Sequence, residues 1–179
     1  MPRTIQIRLS GFGGQGVVLA GILLGHAGVR DGRWVSGANS YGAQARGTAC
    51  KAEVVLSDRA VDFPHVVKPD VLVAMSQGAY DRFAGETKEG GLVVYDSQLV
   101  RPGESTCLLQ PIPATEVAIR EIGNKQVANI VMLGALTALT RVVSKGSIES
   151  AVAEHVPPRF KEVNLRALKT GLHLGKTSR

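Results

Sequence analysis

Residues 10–16, Ser-Gly-Phe-Gly-Gly-Gln-Gly, are the part of this chain best suited to hold a ligand, because Gly11, Gly13, Gly14 and Gly16 remove the side chains from a turn. The spacing Gly11-x-Gly13-x-x-Gly16 is the dinucleotide-type fingerprint. Its first glycine permits a tight turn, the second lets a phosphate approach bare backbone, and the third lets a helix pack closely on a strand. Gln15 lies within the same turn. A helix starting at Gly14 or Gln15 would aim free N–H groups and the positive end of its dipole at an anion.

A second polar stretch, Ser40-Tyr41-Gly42-Ala43-Gln44-Ala45-Arg46-Gly47-Thr48, follows a predicted strand, and in an open α/β sheet the carboxyl ends of strands are where ligands sit. Ser40 and Tyr41 open this loop. Arg46 offers a guanidinium fork to a phosphate or carboxylate, or simply closes a surface loop; composition leaves both readings open. A nicotinamide dinucleotide would call for an Asp or Glu about 20 residues beyond the glycines, at the end of the next strand. Those positions read Ser36, Gly37, Ala38, Asn39 and Ser40, while Asp31 precedes the strand, which counts against NAD. Asp96 suits a functional acid or, more commonly, an Asx turn. Nothing in the chain reads as a catalytic dyad.

The elements that would position these residues follow from periodicity. Ile5, Ile7 and Leu9 alternate as in a half-buried strand, interrupted on the other face by Arg8. A first helix is expected from Gly14 or Gln15 to about Val29, with Gly21, Gly25 and Gly28 grouped for close approach to a strand or a partner helix. Further strands are expected at 33–37, 49–56, 71–75, 92–95 and 106–109. Ser76 should cap a helix over 77–84. Pro111 and Pro113 frame the start of a helix that continues over 115–122. Residues 126–140 form a charge-free helix that should be buried centrally or against another subunit, with Asn129 as its expected cap or a ligand contact and Asn124 as a second cap candidate. Helices over 148–155 and 159–174 follow, the latter with an apolar stripe of Leu165, Leu168 and Leu172, and residues 175–179 read as a frayed basic tail. The resulting class is α/β, Rossmann-like: a mostly parallel sheet with helices on both faces and a helical C-terminal third. Residues 1–179 read as one domain, with an ordered core over about 4–175.

Composition narrows the function. Aromatic residues make up 4% of the 179 residues and the net charge of +6 is spread along the chain, so the basic-and-aromatic interleaving of a nucleic-acid binder is absent. Cys50 and Cys107 are far apart, and His26, His65, His155 and His173 lack ligand spacing, so no metal or iron-sulfur site is expected within the chain and a reducing cytoplasm is. The run from Leu9 to Val29 has no Asp, Glu, Lys or Arg, yet seven of its residues are glycine, which suits a turn and buried helix better than a membrane span. No signal peptide is read at the N-terminus.

Several motifs in fixed order resemble one family. They are Gly-Phe-Gly-Gly-Gln-Gly-Val-Val-Leu-Ala-Gly from Gly11, Ser-Tyr-Gly-Ala-Gln-Ala-Arg-Gly from Ser40, Lys-Pro-Asp from Lys68 and Val-Ala-Asn-Ile-Val-Met-Leu-Gly-Ala from Val127. Together they resemble the gamma subunit of the 2-oxoacid:ferredoxin oxidoreductases over roughly residues 4 to 175. Thr48 stands where many members carry a second glycine. The resemblance implies a multi-subunit enzyme that decarboxylates a 2-oxoacid on thiamine diphosphate, sends electrons through iron-sulfur clusters to ferredoxin and transfers the acyl group to coenzyme A. The thiamine and clusters are then expected on partner chains: alpha, beta and, where present, a ferredoxin-like delta. This chain would bind no cofactor alone. It would contribute assembly and part of a shared coenzyme A surface, with Gly11, Gly13, Gly14, Gln15, Gly16, Ser40, Tyr41 and Arg46 as the contacts. The form of the second motif looks most like members acting on 2-oxoglutarate. The alternative is a stand-alone Rossmann-type nucleotide-binding or regulatory protein.

Overall fold

The computed structural model describes residues 4–40 and 49–177. They form a six-stranded sheet in the order β2-β3-β1-β4-β5-β6, built from β1 (Thr4–Phe12), β2 (Trp34–Ser40), β3 (Ala49–Ser57), β4 (Val71–Ala74), β5 (Leu92–Asp96) and β6 (Leu108–Ile112). β1, β4, β5 and β6 are parallel to one another, whereas β3 is antiparallel to both β1 and β2. The sheet is therefore mixed, with the expected parallel half joined to an antiparallel hairpin.

Side-chain burial explains why β3, and not β2, lies beside β1. Val54, Val55 and Leu56 are buried in succession, on both faces of the sheet, while β2 is largely polar and takes the edge. An interior position suits the strand with two apolar faces. The crossover from β1 through α1 (Val17–Arg30) thus skips one place in the sheet.

One face of the sheet carries the main core. Ile5, Ile7, Leu9, Val54, Leu56, Val71, Val73 and Val94 pack there against α1, α4 (Ala128–Thr140), α5 (Lys145–His155) and α6 (Lys161–Thr177). The other face is covered more thinly, by α2 (Gln77–Phe83) and the chain around Val100. The glycines of α1 do serve close approach, but to its own sheet: a Cβ on Gly21 would fall 2.6 Å from that of Ala52, and one on Gly28 would fall 2.5 Å from Leu56 Cδ2.

The C-terminal third begins with α3 (Ala114–Val117), which widens into a π-helical turn over Ala118–Ile122. Pro111 is inside β6 instead of framing a helix, an allowed place because β6 is an edge strand that can lack one N–H. α4 is buried nearly all round, as expected of a charge-free helix, and its partner is α6 of the same chain. Gly134, Gly171 and Gly175 line that crossing. The expected fraying from residue 175 does not occur: α6 runs to Thr177, and Gly175 is buried against the Ala135 carbonyl.

Asp31, the acid that precedes β2, has a structural task. Its carboxylate accepts from Ser144 N (2.6 Å), Ser144 Oγ (2.7 Å) and Ser147 Oγ (2.5 Å), fastening the end of α1 to the start of α5. Partial burial works against its ionisation, but the Ser147 and Ser144 hydrogen bonds and the Arg33 charge outweigh it and lower the pKa. Asp31→Asn should cost about 1 kcal/mol at neutral pH, a figure reduced for solvent screening at this exposed site. Because the folded-state value is depressed, that advantage is complete above the ordinary aspartate pKa and is lost as the pH falls through the lowered one. In urea titrations of both proteins from pH 7 downward, the gap should therefore narrow once the pH falls below the ordinary aspartate pKa. Beside this joint His26 and His155 stack with ring centroids 3.6 Å apart, and burial, then His155, lowers the pKa of His26.

Candidate functional site

The glycine turn leaves the carboxyl end of β1, beside that of β4. From β1 the chain first moves to one side of the sheet, to β2 and β3, and then to the other, to β4. The crevice between β1 and β4 is thus the topological switch point, where open α/β sheets bind ligands.

Within the turn the glycines divide into two groups. Gly14 has φ +93°, is exposed, and a Cβ there would meet nothing within 4 Å; Gly13 is exposed as well. Gly11 and Gly16 are packing positions. A Cβ on Gly11 would lie 2.5 Å from Gln15 Oε1, and one on Gly16, at φ +71°, would lie 2.4 Å from Asn129 Nδ2. The left-handed conformations of Gly14 and Gly16 delay the helix, so α1 starts at Val17, two or three residues later than expected. No side chain caps its first turn, and the N–H groups there are open to a ligand.

Gln15 is engaged within the fold. Its Oε1 accepts from Phe12 N (2.7 Å) and its Nε2 donates to Met75 O (2.8 Å), so both ends of the amide hold the turn to the segment after β4. Met75 N in turn donates to Ser10 O at 2.9 Å. Asn129 does not cap α4; its Nδ2 donates to Gly16 O (2.9 Å), and Asn124 caps the 3-10 turn over Lys125–Val127 that leads into α4, accepting from Gln126 N. Asn129 is 3% exposed, and its Oδ1 is buried without a hydrogen-bond partner among the described residues. The signal for this role is a lone amide inside an apolar helix whose lead-in turn already has a cap candidate in Asn124.

Ser40 ends β2 on the same edge of the sheet as the glycine turn. It is in register with Lys51 on β3, which faces Ser10 on β1. Two strand spacings, about 10 Å, separate Ser40 from Ser10. The Ser40 loop therefore does not follow the strand next to the glycine turn, since β3 stands between them. Tyr41 and Arg46 lie outside the described residues. Asp96 is fully buried and accepts from Gln98 N, Thr115 N and Thr115 Oγ1, so it builds an Asx turn and joins β5 to α3. Cys50 is buried, and burial raises its thiol pKa, which disfavours the nucleophilic thiolate.

The model of the pyruvate ferredoxin/flavodoxin oxidoreductase family matches residues 6–174. The chain belongs to that family. It is 49% identical over 175 residues to the 2-oxoglutarate synthase subunit KorC of Methanocaldococcus jannaschii, covering 96% of this chain and 94% of the relative. The gamma subunit of a keto/oxoacid ferredoxin oxidoreductase from Geobacter sulfurreducens superposes with a TM-score of 0.87 at 38% identity, covering 97% of this chain and 99% of that one. The 2-oxoglutarate:ferredoxin oxidoreductase of Magnetococcus marinus, solved with 2-oxoglutarate, coenzyme A and succinyl-CoA bound, gives a TM-score of 0.89 at 25% identity over 98% of this chain but only 31% of that one. This protein is thus a gamma-type member of the oxidoreductase family, matched along nearly its whole length. No helix among the described residues is long and apolar enough to cross a membrane.

Proposed function

We propose that this chain, as one α/β domain, is the gamma subunit of a cytoplasmic 2-oxoglutarate:ferredoxin oxidoreductase. The observation that carries this reading is the 49% identity to a 2-oxoglutarate synthase subunit across nearly the full length of both chains. A match of that extent to subunits favours it over a stand-alone nucleotide-binding protein. Thiamine diphosphate and iron-sulfur clusters, supplied by the alpha, beta or ferredoxin-like delta partners, perform the decarboxylation and the electron transfer to ferredoxin.

The contribution of this chain is to hold coenzyme A, the acyl acceptor, at a surface shared with those partners. Gly13, Gly14 and the uncapped first turn of α1 present bare backbone and a positive dipole end, which suits the pyrophosphate of coenzyme A. Gly11, Gln15, Gly16 and Asn129 hold that backbone in shape. Ser40, Tyr41 and Arg46 supply further contacts from the chain that follows β2, the guanidinium of Arg46 being suited to a phosphate.

Gly13→Asp would put a carboxylate where the anion binds. In the assembled enzyme, Gly13→Asp and Arg46→Ala should each raise the KM for coenzyme A by about 10-fold or more, the order of one lost or opposed charge-assisted contact, and leave the KM for 2-oxoglutarate near that of the wild type. Unchanged coenzyme A kinetics in both variants would reduce the turn to a packing role. Steady-state rates of the complex with 2-oxoglutarate, pyruvate, branched-chain 2-oxoacids and indolepyruvate test the substrate.

A further inference from the structure

The thinly covered face of the sheet carries a costly device with no part in the glycine site. Arg8, in the middle of β1, is 2% exposed. Its guanidinium bonds Glu53 at 2.9 Å, pairs with Glu86, lies 5.1 Å from the Phe83 ring centroid and donates to the Val66 carbonyl at 3.2 Å. The last bond anchors residues 58–70, the irregular segment between β3 and β4. Gln6 Oε1 holds Val67 N at 3.1 Å, Asp70 Oδ2 holds Gln6 N at 2.7 Å, and Ser36 Oγ reaches the Pro64 carbonyl at 3.2 Å.

A segment fastened at so many points would be expected to turn its apolar side chains inward. Val66 does so, at 5% exposed, but Phe63 (59%) and Val67 (62%) face solvent. Trp34, the sole tryptophan, is 58% exposed two residues before Ser36 on the same strand face, which the Ser36–Pro64 bond brings beneath this segment. Large apolar side chains exposed together on a pre-ordered backbone are the usual anchors of a protein interface.

We infer that Trp34, Phe63 and Val67 form the docking surface for the larger partner chain of the oxidoreductase, an inference that rests on the proposed function. Two observations select this occupant. The Magnetococcus marinus chain carries a domain of this shape as 31% of its length, so there the domain belongs to the same polypeptide as a much larger body. The surface is also rimmed by Arg59 and Lys68, which have no ion-pair partner among the described residues, against the single free carboxylate of Asp62, with Asp58 held by Arg33. A second copy packed here would set those surplus cations against each other, whereas a partner with an acidic rim around an apolar pocket complements them. The surface lies at the start of β1 and β2, the opposite edge from the glycine turn, so docking leaves that turn accessible.

The test co-expresses this chain with the other chains of its oxidoreductase and measures assembly by pull-down and by binding of the purified chain to the remaining complex. Trp34→Ser, Phe63→Ser and Val67→Ser combined should weaken binding by about 30-fold or more with unfolding temperature and circular dichroism unchanged, since all three side chains are exposed. Ile22→Ser with Val29→Ser, on the exposed side of α1, which packs on the opposite face of the sheet, should bind within about twofold of wild type. Normal assembly of the triple variant, loss on the α1 variant instead, or a wild-type dimer that the triple variant dissociates would each overturn the assignment. If the wild-type chain fails to join any thiamine-binding partner, the proposed function fails, and this surface with it.

Discussion

Arg8→Met should lower stability by about 3–5 kcal/mol, the usual cost of removing one partner from a buried ion pair. The loss is large because Glu53 is only 6% exposed and loses its buried partner, and the half-buried Lys51, at 2.7 Å, replaces only part of that pairing. Transfer to methionine restores apolar contact with Phe83 but solvates nothing. For a domain of this size the change corresponds to a fall of roughly 10 °C in Tm, read by calorimetry. Arg8→Met combined with Glu53→Leu should recover most of the loss, because replacing both members of a buried pair by apolar groups is close to neutral. The double variant should still show faster proteolysis within residues 58–70, since the Val66 carbonyl loses its donor. A double variant as unstable as the single one would show that Arg8 acts mainly by packing.

Gly171→Ala should be as damaging for a different reason. A Cβ there would stand 1.9 Å from the Val131 carbonyl oxygen, and the obstacle is backbone of α4 that cannot rotate away. Alanine would gain about 1 kcal/mol of helix propensity. Separating α4 from α6 would cost about 3 kcal/mol or more in lost packing, so the sign is unfavourable. Gly146→Ala offers the contrast, because that position on α5 is exposed and a Cβ meets nothing within 4 Å. It should be neutral or stabilising by up to about 1 kcal/mol. Urea unfolding of the two variants checks the pair, and equal effects would mean that the helix crossing can yield.

The same crossing corrects a reading of the partner surfaces. A charge-free helix and glycine-lined helices suggest contacts with other subunits, yet Gly134, Gly171 and Gly21 all face elements of this chain. Apolar pattern and small residues report close packing without naming the partner. The exposed anchors, Trp34, Phe63 and Val67, look in sequence like ordinary hydrophobic residues of a strand and a loop. Phe63 and Val67 stand in a loop whose backbone is held by Arg8, Gln6 and Ser36 from other elements.

Much of the site was legible because its physics is local. A strand alternating Ile5, Ile7 and Leu9, a turn that needs left-handed residues at Gly14 and Gly16, and an apolar helix from Val17 are properties of neighbouring residues, and they were enough to place an anion-suited turn at a strand end. Ser76 as a cap and the burial of residues 128–137 are readable for the same reason. Local chemistry cannot say which strand lies beside which. Tertiary structure decided that β3 separates β2 from β1, because only there could its two apolar faces both be buried, and that choice sets Ser40 two strands from the glycine turn. It also decided what each polar side chain in the turn is for: Gln15 and Asn129 are held by partners 60 and 113 residues away, separations over which spacing in the sequence carries no information.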